Sequence, residues 1–327
     1  MLVKFDKMQG LGNDFVMVDA EQFHSSSSFS SKPENPENRF ASLAIITEEE
    51  VIRLCDRHYG IGCDQLVVYK LENDAVYANF FNPDGSEAEI CGNAARCLGL
   101  LTKDRAGSKK FDLKTLKKTY PIQTDDEICV GMGKPSFLPE DVGFSRRIYS
   151  DLKTVLEETE VELDSLTEED VSDYLEQSLL GVFDFCNIRG LGLPSDLGVE
   201  FAVCVSIGNP HLVLFCKKTP RIEDAEHWGR KIQNRDVFEN GINVSFACVK
   251  SENEIDLRVY ERGVGPTLAC GSGACAAAAA AYNRKLVKSS DILTTQKGGT
   301  LKISIDKDGN VFQTGSAAYV FTGEIKI

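Results

Sequence analysis

The amino-acid sequence predicts an α+β protein of two homologous lobes, whose sheets are largely antiparallel or mixed. Three observations predict this fold: a Cys-Gly junction that occurs twice, a Gly-Asn turn that precedes it both times, and an excess of strand-like over helix-like segments. The length of 327 residues agrees, because it is long for one compact core and comfortable for two domains. The first lobe is therefore expected to end near residue 133 and the second to begin near residue 134.

The repeated Cys-Gly junction is the strongest of these signals. In the first half a strand-like run ends at Asn82, and Cys91 follows nine positions later. In the second half a strand-like run ends at Glu261, and Cys270 follows at the same spacing. Each cysteine precedes a glycine and then a helix-like stretch of small and apolar residues. Matched strand–loop–helix junctions predict two thiols that face each other across a cleft.

A Gly-Asn turn precedes each junction along the chain. Gly12-Asn13 leads into an apolar strand in the first half, and Gly208-Asn209 leads into a similar strand in the second. The lengths of chain between the two landmarks differ, and surface loops absorb such differences at small entropic cost. The repeat therefore extends from a short motif to whole lobes.

Local patterns predict the elements of the first lobe in order. Alternation of apolar residues predicts a strand over residues 2–8, and the chain resumes as a strand over residues 15–18 after a glycine-rich turn. Thr47 and Glu50 form a capping-box pattern, which predicts a helix start, and a strand is expected over residues 66–69. The residues that this helix should bury are Val51, Leu54 and Cys55.

Two polar tracts interrupt the repeat. Residues 24–40 form a low-complexity loop that is rich in serine, and residues 140–198 contain a second insertion. Within it, the acidic run at residues 151–177 has a capping-like pair at Thr167 and Asp170. A solvated helical insertion is favoured over an acidic arm that binds a partner, because charge runs are usually solvated faces.

Composition excludes several classes of function. A net charge of −14 argues against non-specific nucleic-acid binding, which needs clustered Lys and Arg. No apolar run approaches the roughly 20 residues that span a membrane, and the opening segment lacks a signal-peptide core, so a cytoplasmic protein is expected. The eleven cysteines include no Cys-x-x-Cys pair, and no phosphate loop or dinucleotide-binding glycine motif occurs. No metal is expected, and pyridoxal phosphate stays open because its lysine has no single sequence signature.

A cysteine at a helix N-terminus can serve as an acid or a base. Unsatisfied N–H groups and the helix dipole favour negative charge there, and the dipole contributes at most about 2 kcal/mol. This lowers the pKa of a thiol from roughly 8.5 to near neutrality, which suits proton transfer. With one thiol on each side of an α-carbon, one thiolate removes a proton and the other thiol delivers one. His211 and Glu261 are candidates for tuning the thiols, although spacing alone leaves a structural role open for His211.

Six segments of the chain carry a family resemblance. They are Lys7–Val16, Arg57–Gln65, Phe81–Asn93, Ser206–His211, Ile242–Val244 and Arg258–Cys275. In this order they closely resemble diaminopimelate epimerase, a family of cofactor-independent two-cysteine enzymes of lysine and peptidoglycan biosynthesis. The resemblance runs from residue 4 to residue 281 and is weakest in the two insertions.

The resemblance implies roles for particular residues. Cys91 and Cys270 would be the acid/base thiols, with His211 and Glu261 as the residues that tune them. The donors to the substrate carboxylate would be Gly92, Asn93, Gly271 and Ser272. The residues that hold the rest of the substrate would be Asn13, Asn82, Asn209, Asn243, Glu261 and Arg262, with Gln65 nearby. No cofactor is implied.

The family fold has two pseudo-symmetric lobes, each a mixed sheet wrapped around a central helix, with the active site in the cleft between them. In this fold the last strand returns to the first lobe, so that lobe comprises residues 1–133 with 316–327, and the second comprises residues 134–315. The family also implies a homodimer that acts on a small amino-acid substrate and interconverts L,L- and meso-diaminopimelate.

Two alternatives remain at this stage. The first is a racemase or epimerase of another amino acid, as in proline and hydroxyproline racemases, and Asn209, Asn243 and Arg262 argue against such a small cyclic substrate. Ala94, where the family usually has Gly, and Pro266, where Glu is common, can shift the substrate range. The second alternative is a non-catalytic redox sensor in which the two cysteines at the junctions form a disulfide.

Overall fold

The computed structural model describes residues 1–24, 40, 43, 46–72, 75–88, 90–143, 198–233 and 238–326. The acidic tract at residues 151–177 and its capping-like pair lie outside the described residues, as does most of each predicted insertion. Strands dominate the described part of the chain, with few helices, which confirms the α+β class. None of the described helices is long and apolar enough to cross a membrane.

The elements follow one another in chain order. The first are β1 (Leu2–Gly10), β2 (Asn13–Asp19), α1 (Glu21–His24), α2 (Glu48–Cys55), β3 (Gln65–Glu72), β4 (Ala75–Phe81), β5 (Glu87–Ala88), α3 (Gly92–Ala106), β6 (Lys110–Lys114), β7 (Thr119–Gln123), β8 (Ile128–Gly133) and α4 (Pro139–Val142). The others are β9 (Val199–Ser206), β10 (Pro210–Cys216), α5 (Ile222–Gln233), β11 (Asn243–Ser251), β12 (Glu254–Glu261), β13 (Gly265–Pro266), α6 (Gly271–Asn283), β14 (Asp291–Gln296), β15 (Gly299–Ile305), β16 (Val311–Gly315) and β17 (Ala318–Lys326).

The chain divides into two compact units. The first unit contains Met1–Met132 together with Phe312–Ile327, and the second contains Gly133–Val311. The last strand, β17, pairs antiparallel with β1 over most of its length, which ties the two ends of the chain together in the first unit.

The first unit is a mixed sheet built around α3. Strand β1 is antiparallel to β2, β2 is parallel to β3, and β3 is antiparallel to β4. Strand β4 is antiparallel to β5 and parallel to β6, which continues antiparallel into β7 and β8. Helix α3 packs against β1 and β2 and is buried on all sides over its first two turns, which is typical of a helix inside a core.

The predicted helix of the first unit is confirmed. Helix α2 begins after Thr47, whose side chain accepts a hydrogen bond from the backbone of Glu50, while the Glu50 carboxylate accepts one from the Thr47 backbone. This is the capping box that the sequence predicted. The buried face consists of Val51, Leu54 and Cys55, as predicted.

The second unit repeats this order of strand pairing. Strand β9 is antiparallel to β10, β10 is parallel to β11, and β11 is antiparallel to β12. Strand β12 is antiparallel to β13 and parallel to β14, which pairs antiparallel with β15. In both units the long buried helix follows the short fifth strand. The repeated pairing order supports an internal duplication, and the predicted symmetry of the lobes stays a prediction.

Helix α6 is the buried helix of the second unit. It packs against β9 to β12 and against β14 and β15, and nearly all of its residues are buried. Its alanine-rich sequence explains this position, because small side chains let the surrounding strands approach the helix backbone closely. The sheets therefore bring strand ends and loops to the N-terminus of α3 in one unit and of α6 in the other.

Candidate active site

Both repeated cysteines occupy the N-cap position of a buried helix. Cys91 precedes α3 with backbone angles φ −114° and ψ 118°, and Cys270 precedes α6 with φ −117° and ψ 113°. The two junctions thus have the same local geometry, as the sequence repeat predicts. Their environments differ, because Cys91 is half-buried and Cys270 is buried.

Asn13 connects the Cys91 junction to the first hairpin. Its Oδ1 accepts hydrogen bonds from Cys91 Sγ at 3.4 Å and from Asn93 Nδ2 at 3.0 Å. Its Nδ2 donates to Asp64 Oδ2 at 2.6 Å. Asn13 follows a tight turn in which Leu11 and Gly12 both have positive φ, at 55° and 84°. This left-handed turn brings the amide to the helix terminus.

A buried arginine, which the sequence had not singled out, fixes the other side of this junction. Arg96 Nη2 donates to Asn93 Oδ1 at 2.8 Å, and its Nη1 donates to Gln313 Oε1 at 2.9 Å. Gly92 lies so close to this cluster that a Cβ there would be 1.9 Å from Gln313 Nε2. A side chain at this position would therefore displace the Gln313 amide that binds Arg96. The only sequence signal for the cluster is an arginine among the small and apolar residues at positions 94–101 of this helix.

An ion network stabilises the turn that carries Asn13. Asp14 contacts Arg57 Nη2 at 2.6 Å and Lys7 Nζ at 2.5 Å, and Asp64 contacts Arg57 Nη2 at 2.8 Å. Burial opposes the charged form of Asp14, but hydrogen bonds from Arg57 and Lys7 outweigh it and lower the pKa to about 2. Asp14 is therefore ionised at neutral pH and holds the turn by charge-assisted hydrogen bonds.

Gln65 and Asn82, the two other predicted residues of this unit, form a pair of their own. Gln65 Nε2 donates to Asn82 Oδ1 at 3.0 Å, and Asn82 Nδ2 donates to Ser86 Oγ at 3.1 Å. Gln65 Oε1 is buried and has no hydrogen-bond partner among the described residues. Because a buried acceptor without a partner is costly, this oxygen is suited to receive a donor from a ligand.

The Cys270 junction is held by a glutamine from β14. The backbone N–H of Cys270 donates to Gln296 Oε1 at 2.7 Å, and Gln296 Nε2 donates to the Cys270 carbonyl at 3.3 Å. The sulfur accepts a hydrogen bond from the Gly273 N–H at 3.3 Å and lies 3.6 Å from Ser272 Oγ. Gln296 was not predicted from the sequence, because nothing in its local pattern distinguishes it from other strand residues.

Asn209 links this junction to a buried histidine. Its Nδ2 donates to Ser272 Oγ at 3.2 Å, and its Oδ1 lies 3.1 Å from His211 Nε2. His211 is completely buried, and its Nδ1 has no partner among the described residues. Burial, together with the charge of Arg262, lowers the pKa of His211 to about 3. His211 is therefore neutral at physiological pH, and with Nε2–H donated to Asn209 its Nδ1 is an acceptor.

Glu261 lies beside Cys270 and affects the pKa of its thiol. Burial raises the pKa of Cys270 well above its ordinary value, and the negative charge of Glu261 raises it further. Hydrogen bonds to Cys270 from Ser272 and Gly273 act in the opposite direction but do not offset these effects. The expectation that the helix N-terminus alone brings the thiol to near neutrality is thus wrong for Cys270, because burial outweighs the dipole.

Asn243 and Arg262 form the outer part of this site. Asn243 Oδ1 accepts a hydrogen bond from the Arg262 N–H at 2.9 Å, and Asn243 Nδ2 donates to the Pro210 carbonyl at 3.1 Å. Arg262 Nη1 donates to the Asn240 carbonyl at 3.0 Å. Both the oxygen and the nitrogen of the Asn243 amide are thus hydrogen-bonded to backbone groups. Asn243 therefore positions the loop after β12.

The structure brings the predicted residues into two clusters, one in each unit. The cluster of the first unit contains Asn13, Cys91, Gly92 and Asn93, with Gln65 and Asn82 as a separate pair. The cluster of the second unit contains Asn209, His211, Asn243, Glu261, Arg262, Cys270, Gly271 and Ser272. No group of three or more His, Cys, Asp or Glu side chains that could hold a metal ion occurs among the described residues.

Comparison with known proteins identifies the family of this chain. The diaminopimelate epimerase family profile matches residues 5–138 and 203–320, which is more than half of the sequence. The chain belongs to the diaminopimelate epimerase family. It is 33% identical over 324 residues to the diaminopimelate epimerase of Rickettsia prowazekii strain Madrid E, covering 98% of this chain and 97% of the relative. It is 33% identical over 335 residues to that of Vesicomyosocius okutanii, with both chains covered completely.

Solved structures show the same fold at low sequence identity. A phenazine biosynthesis protein of the PhzF family from Enterococcus faecalis has a TM-score of 0.58 at 12% identity, with both chains covered completely. A hydroxyproline epimerase from Agrobacterium vitis has a TM-score of 0.57 at 12% identity, covering 99% of this chain and 92% of that one. At this identity the likeness concerns the fold, whereas the family profile and the curated relatives make the protein an epimerase, and hence an isomerase.

The raised pKa of Cys270 leads to a test of its electrostatic cause. Glu261→Gln removes the negative charge beside the thiol, so the pKa of Cys270 should fall and the thiolate should form at lower pH. Ultraviolet thiolate absorbance measures this, as the difference between each protein and its Cys270→Ser counterpart during a pH titration. Glu254→Gln, at the other end of β12, is the control and should leave the midpoint of the Cys270 titration unchanged. An unmoved midpoint in Glu261→Gln would contradict the assigned cause.

Proposed function

We propose that the protein interconverts L,L- and meso-diaminopimelate, in lysine and peptidoglycan biosynthesis, by proton transfer at one α-carbon between two thiols. The observation that carries the mechanism is the pair of cysteines with matching backbone geometry at the N-caps of two buried helices. Family membership supports the substrate, since the curated relatives are named diaminopimelate epimerase. The first N–H groups of a helix favour anions, so α3 and α6 are suited to hold the carboxylate at the reacting centre.

The different environments of the two thiols support different roles for them, one as the proton donor and the other as the base. Cys270 is buried beside Glu261 and rests as a thiol, so it is the proton donor of the resting enzyme. In its thiolate form Cys91 acts as the base that removes the α-proton, and Cys270 delivers its own proton to the opposite face of the carbon. Each turnover converts the thiolate at residue 91 to a thiol and the thiol at residue 270 to a thiolate. The protons balance, and the next substrate of the opposite configuration reverses the roles.

Neighbouring side chains have supporting roles in this proposal. Asn13 orients Cys91 through the 3.4 Å contact between the sulfur and Oδ1. His211 is neutral and offers Nδ1 as an acceptor beside the Asn209–Ser272 pair, which suits an ammonium or N–H group of the substrate. Arg262, at the outer edge of the same cluster, carries a positive charge suited to a carboxylate. Gln65 and Asn82 offer amides to the distal amino-acid end of the substrate.

The direct test of the reaction is isotope incorporation. In deuterated water, incubation with L,L-diaminopimelate should give meso-diaminopimelate that carries one deuterium at the inverted α-carbon, because the delivering thiol exchanges with solvent. Mass spectrometry and chiral chromatography measure the label and the product. Proline and hydroxyproline serve as matched controls for the alternative substrates. Turnover of either one in place of diaminopimelate, or a folded reduced enzyme that forms no meso product, would refute the assignment.

Replacement of each thiol tests the two-base mechanism. Cys91→Ser and Cys270→Ser should each lower kcat by a factor on the order of 10²–10⁴, because a serine hydroxyl is a much weaker acid and base than a thiol. Cys129→Ser is the control, since Cys129 is a half-buried cysteine of β8 outside both clusters, and it should keep the parental rate. Circular dichroism verifies that the variants are folded. Full activity in either junction variant would refute the mechanism.

The proposal extends to a cytoplasmic homodimer. Strand β17 supports a dimer, because Val320 and Phe321 expose about half of their surface on this edge of the first unit, at 56% and 48%. Sedimentation equilibrium should give twice the chain mass of 36.0 kDa. Phe321→Asp should shift the equilibrium toward monomer, and Lys307→Asp, on an exposed turn, serves as the control. A parent protein that sediments as a monomer at micromolar concentration would contradict the dimer.

A further inference from the structure

Two cysteines outside both clusters lie in contact at the end of α2. Cys55 is the last residue of this helix, and Cys63 lies in the loop that leads to β3. The Cys63 thiol donates a hydrogen bond to Cys55 Sγ, and the two sulfur atoms are 3.4 Å apart. Both residues are buried, at 3% and 2% exposure, and both thiols are free. The proposed epimerisation uses neither of them.

The backbone holds the two residues side by side. The N–H of Cys63 donates to the Cys55 carbonyl at 3.2 Å, and the N–H groups of Ile61 and Gly62 both donate to the Leu54 carbonyl at 3.0 Å. The loop thus satisfies the last carbonyls of the helix. Gly60 makes this close docking possible, since a Cβ there would lie 1.9 Å from the Arg53 carbonyl oxygen. A disulfide has an S–S bond of about 2.05 Å, so the sulfurs need to approach by only about 1.3 Å.

Charged neighbours make the pair asymmetric. The hydrogen bond from Cys63 lowers the pKa of Cys55, and the positive charges of Lys7 and Arg57 lower it further. The same hydrogen bond, together with burial, raises the pKa of Cys63. Cys55 is accordingly the nucleophile of the pair and Cys63 the thiol that resolves it, which is the division of roles that disulfide formation requires.

We propose that Cys55 and Cys63 form a redox site, which hydrogen peroxide oxidises to an intramolecular disulfide. The Cys55 thiolate attacks one peroxide oxygen, the O–O bond breaks, and hydroxide leaves and takes up a proton to become water. The resulting sulfenic acid is attacked by Cys63 Sγ, which forms the S–S bond as the S–O bond breaks, and the thiol proton leaves with the hydroxyl as a second water. One peroxide is reduced by two electrons, and the two thiols are oxidised by two. Burial of both sulfurs selects a small uncharged oxidant over a bulky disulfide.

Closure of this disulfide acts on the Cys91 junction through the next residue in the chain. Asp64 follows Cys63 directly, and its Oδ2 accepts hydrogen bonds from Asn13 Nδ2 at 2.6 Å and from the Asp14 N–H at 3.0 Å. Asn13 in turn accepts the hydrogen bond from Cys91 Sγ. A shift of Cys63 toward Cys55 therefore displaces the carboxylate that positions Asn13. This consequence for substrate binding rests on the proposed function, whereas the disulfide itself does not.

Peptide mapping of the full-length protein tests the redox site. Trypsin cleaves after Arg57, so a disulfide joins two tryptic peptides that separate on addition of dithiothreitol. The reduced protein is treated with hydrogen peroxide, blocked with N-ethylmaleimide, digested and examined by mass spectrometry. The joined peptides are expected from the parent and from Cys204→Ala, a buried cysteine of β9 that serves as the control, and not from Cys63→Ala. Unjoined peptides at a peroxide dose that oxidises the half-buried Cys129 would overturn the proposal.

Ligand binding tests the coupling to the substrate site. In a Cys91→Ser/Cys270→Ser background, which removes the proposed catalytic thiols, calorimetry measures the Kd for meso-diaminopimelate before and after peroxide treatment. Oxidation should weaken binding by about fivefold or more, and addition of Cys63→Ala should abolish the effect. Equal Kd values for the reduced and the disulfide-joined protein would overturn the coupling. A reduced protein that binds no diaminopimelate would contradict the proposed function. The disulfide would still be tested separately, by the peptide mapping.

Discussion

The architecture of each unit depends on burying a helix N-terminus beneath a sheet. Such a terminus presents N–H groups that the helix itself cannot satisfy, and in a buried position they need partners. At both termini the N-cap residue is a cysteine, and the structure surrounds it with amides from other elements. Asn13 does this for Cys91, and Gln296 does it for Cys270. Buried amides that hydrogen-bond one another in this way hold the two junctions in a defined geometry.

The same scaffold produces two different thiols because the packing around them differs. Cys91 is half-buried above an ion network in which the carboxylates of Asp14 and Asp64 are compensated by Arg57 and Lys7. Cys270 is buried, and its charged neighbour is a carboxylate, so its thiol form is favoured. The proposed two-base mechanism needs one protonated and one deprotonated group, and an internal duplication by itself would supply two equal ones. Burial and the charge of Glu261 favour Cys270 as the protonated group.

The thiol pair at Cys55 and Cys63 follows from the same ion network. Lys7 donates to the carbonyl of Gly62 as well as contacting Asp14, so one cation lies beside both the Asn13 turn and the buried thiols. The loop that carries Cys63 is thus part of the support of the Cys91 junction. In the proposed redox site, a chemical change at the thiols reaches the junction through Asp64, which follows Cys63 and binds Asn13.

Local sequence patterns determined the fold class and several local features of this protein. The sequence by itself determined the α+β class, the helix that begins after Thr47, and the two N-cap cysteines, because capping, periodicity and glycine turns act over a few residues. Only the tertiary structure decided the partners of these cysteines, since Gln296 and Gln313 reach the junctions from strands far along the chain. It also decided the raised pKa of Cys270 and the contact between Cys55 and Cys63, because desolvation and contact depend on which segments pack together, and no local motif encodes that.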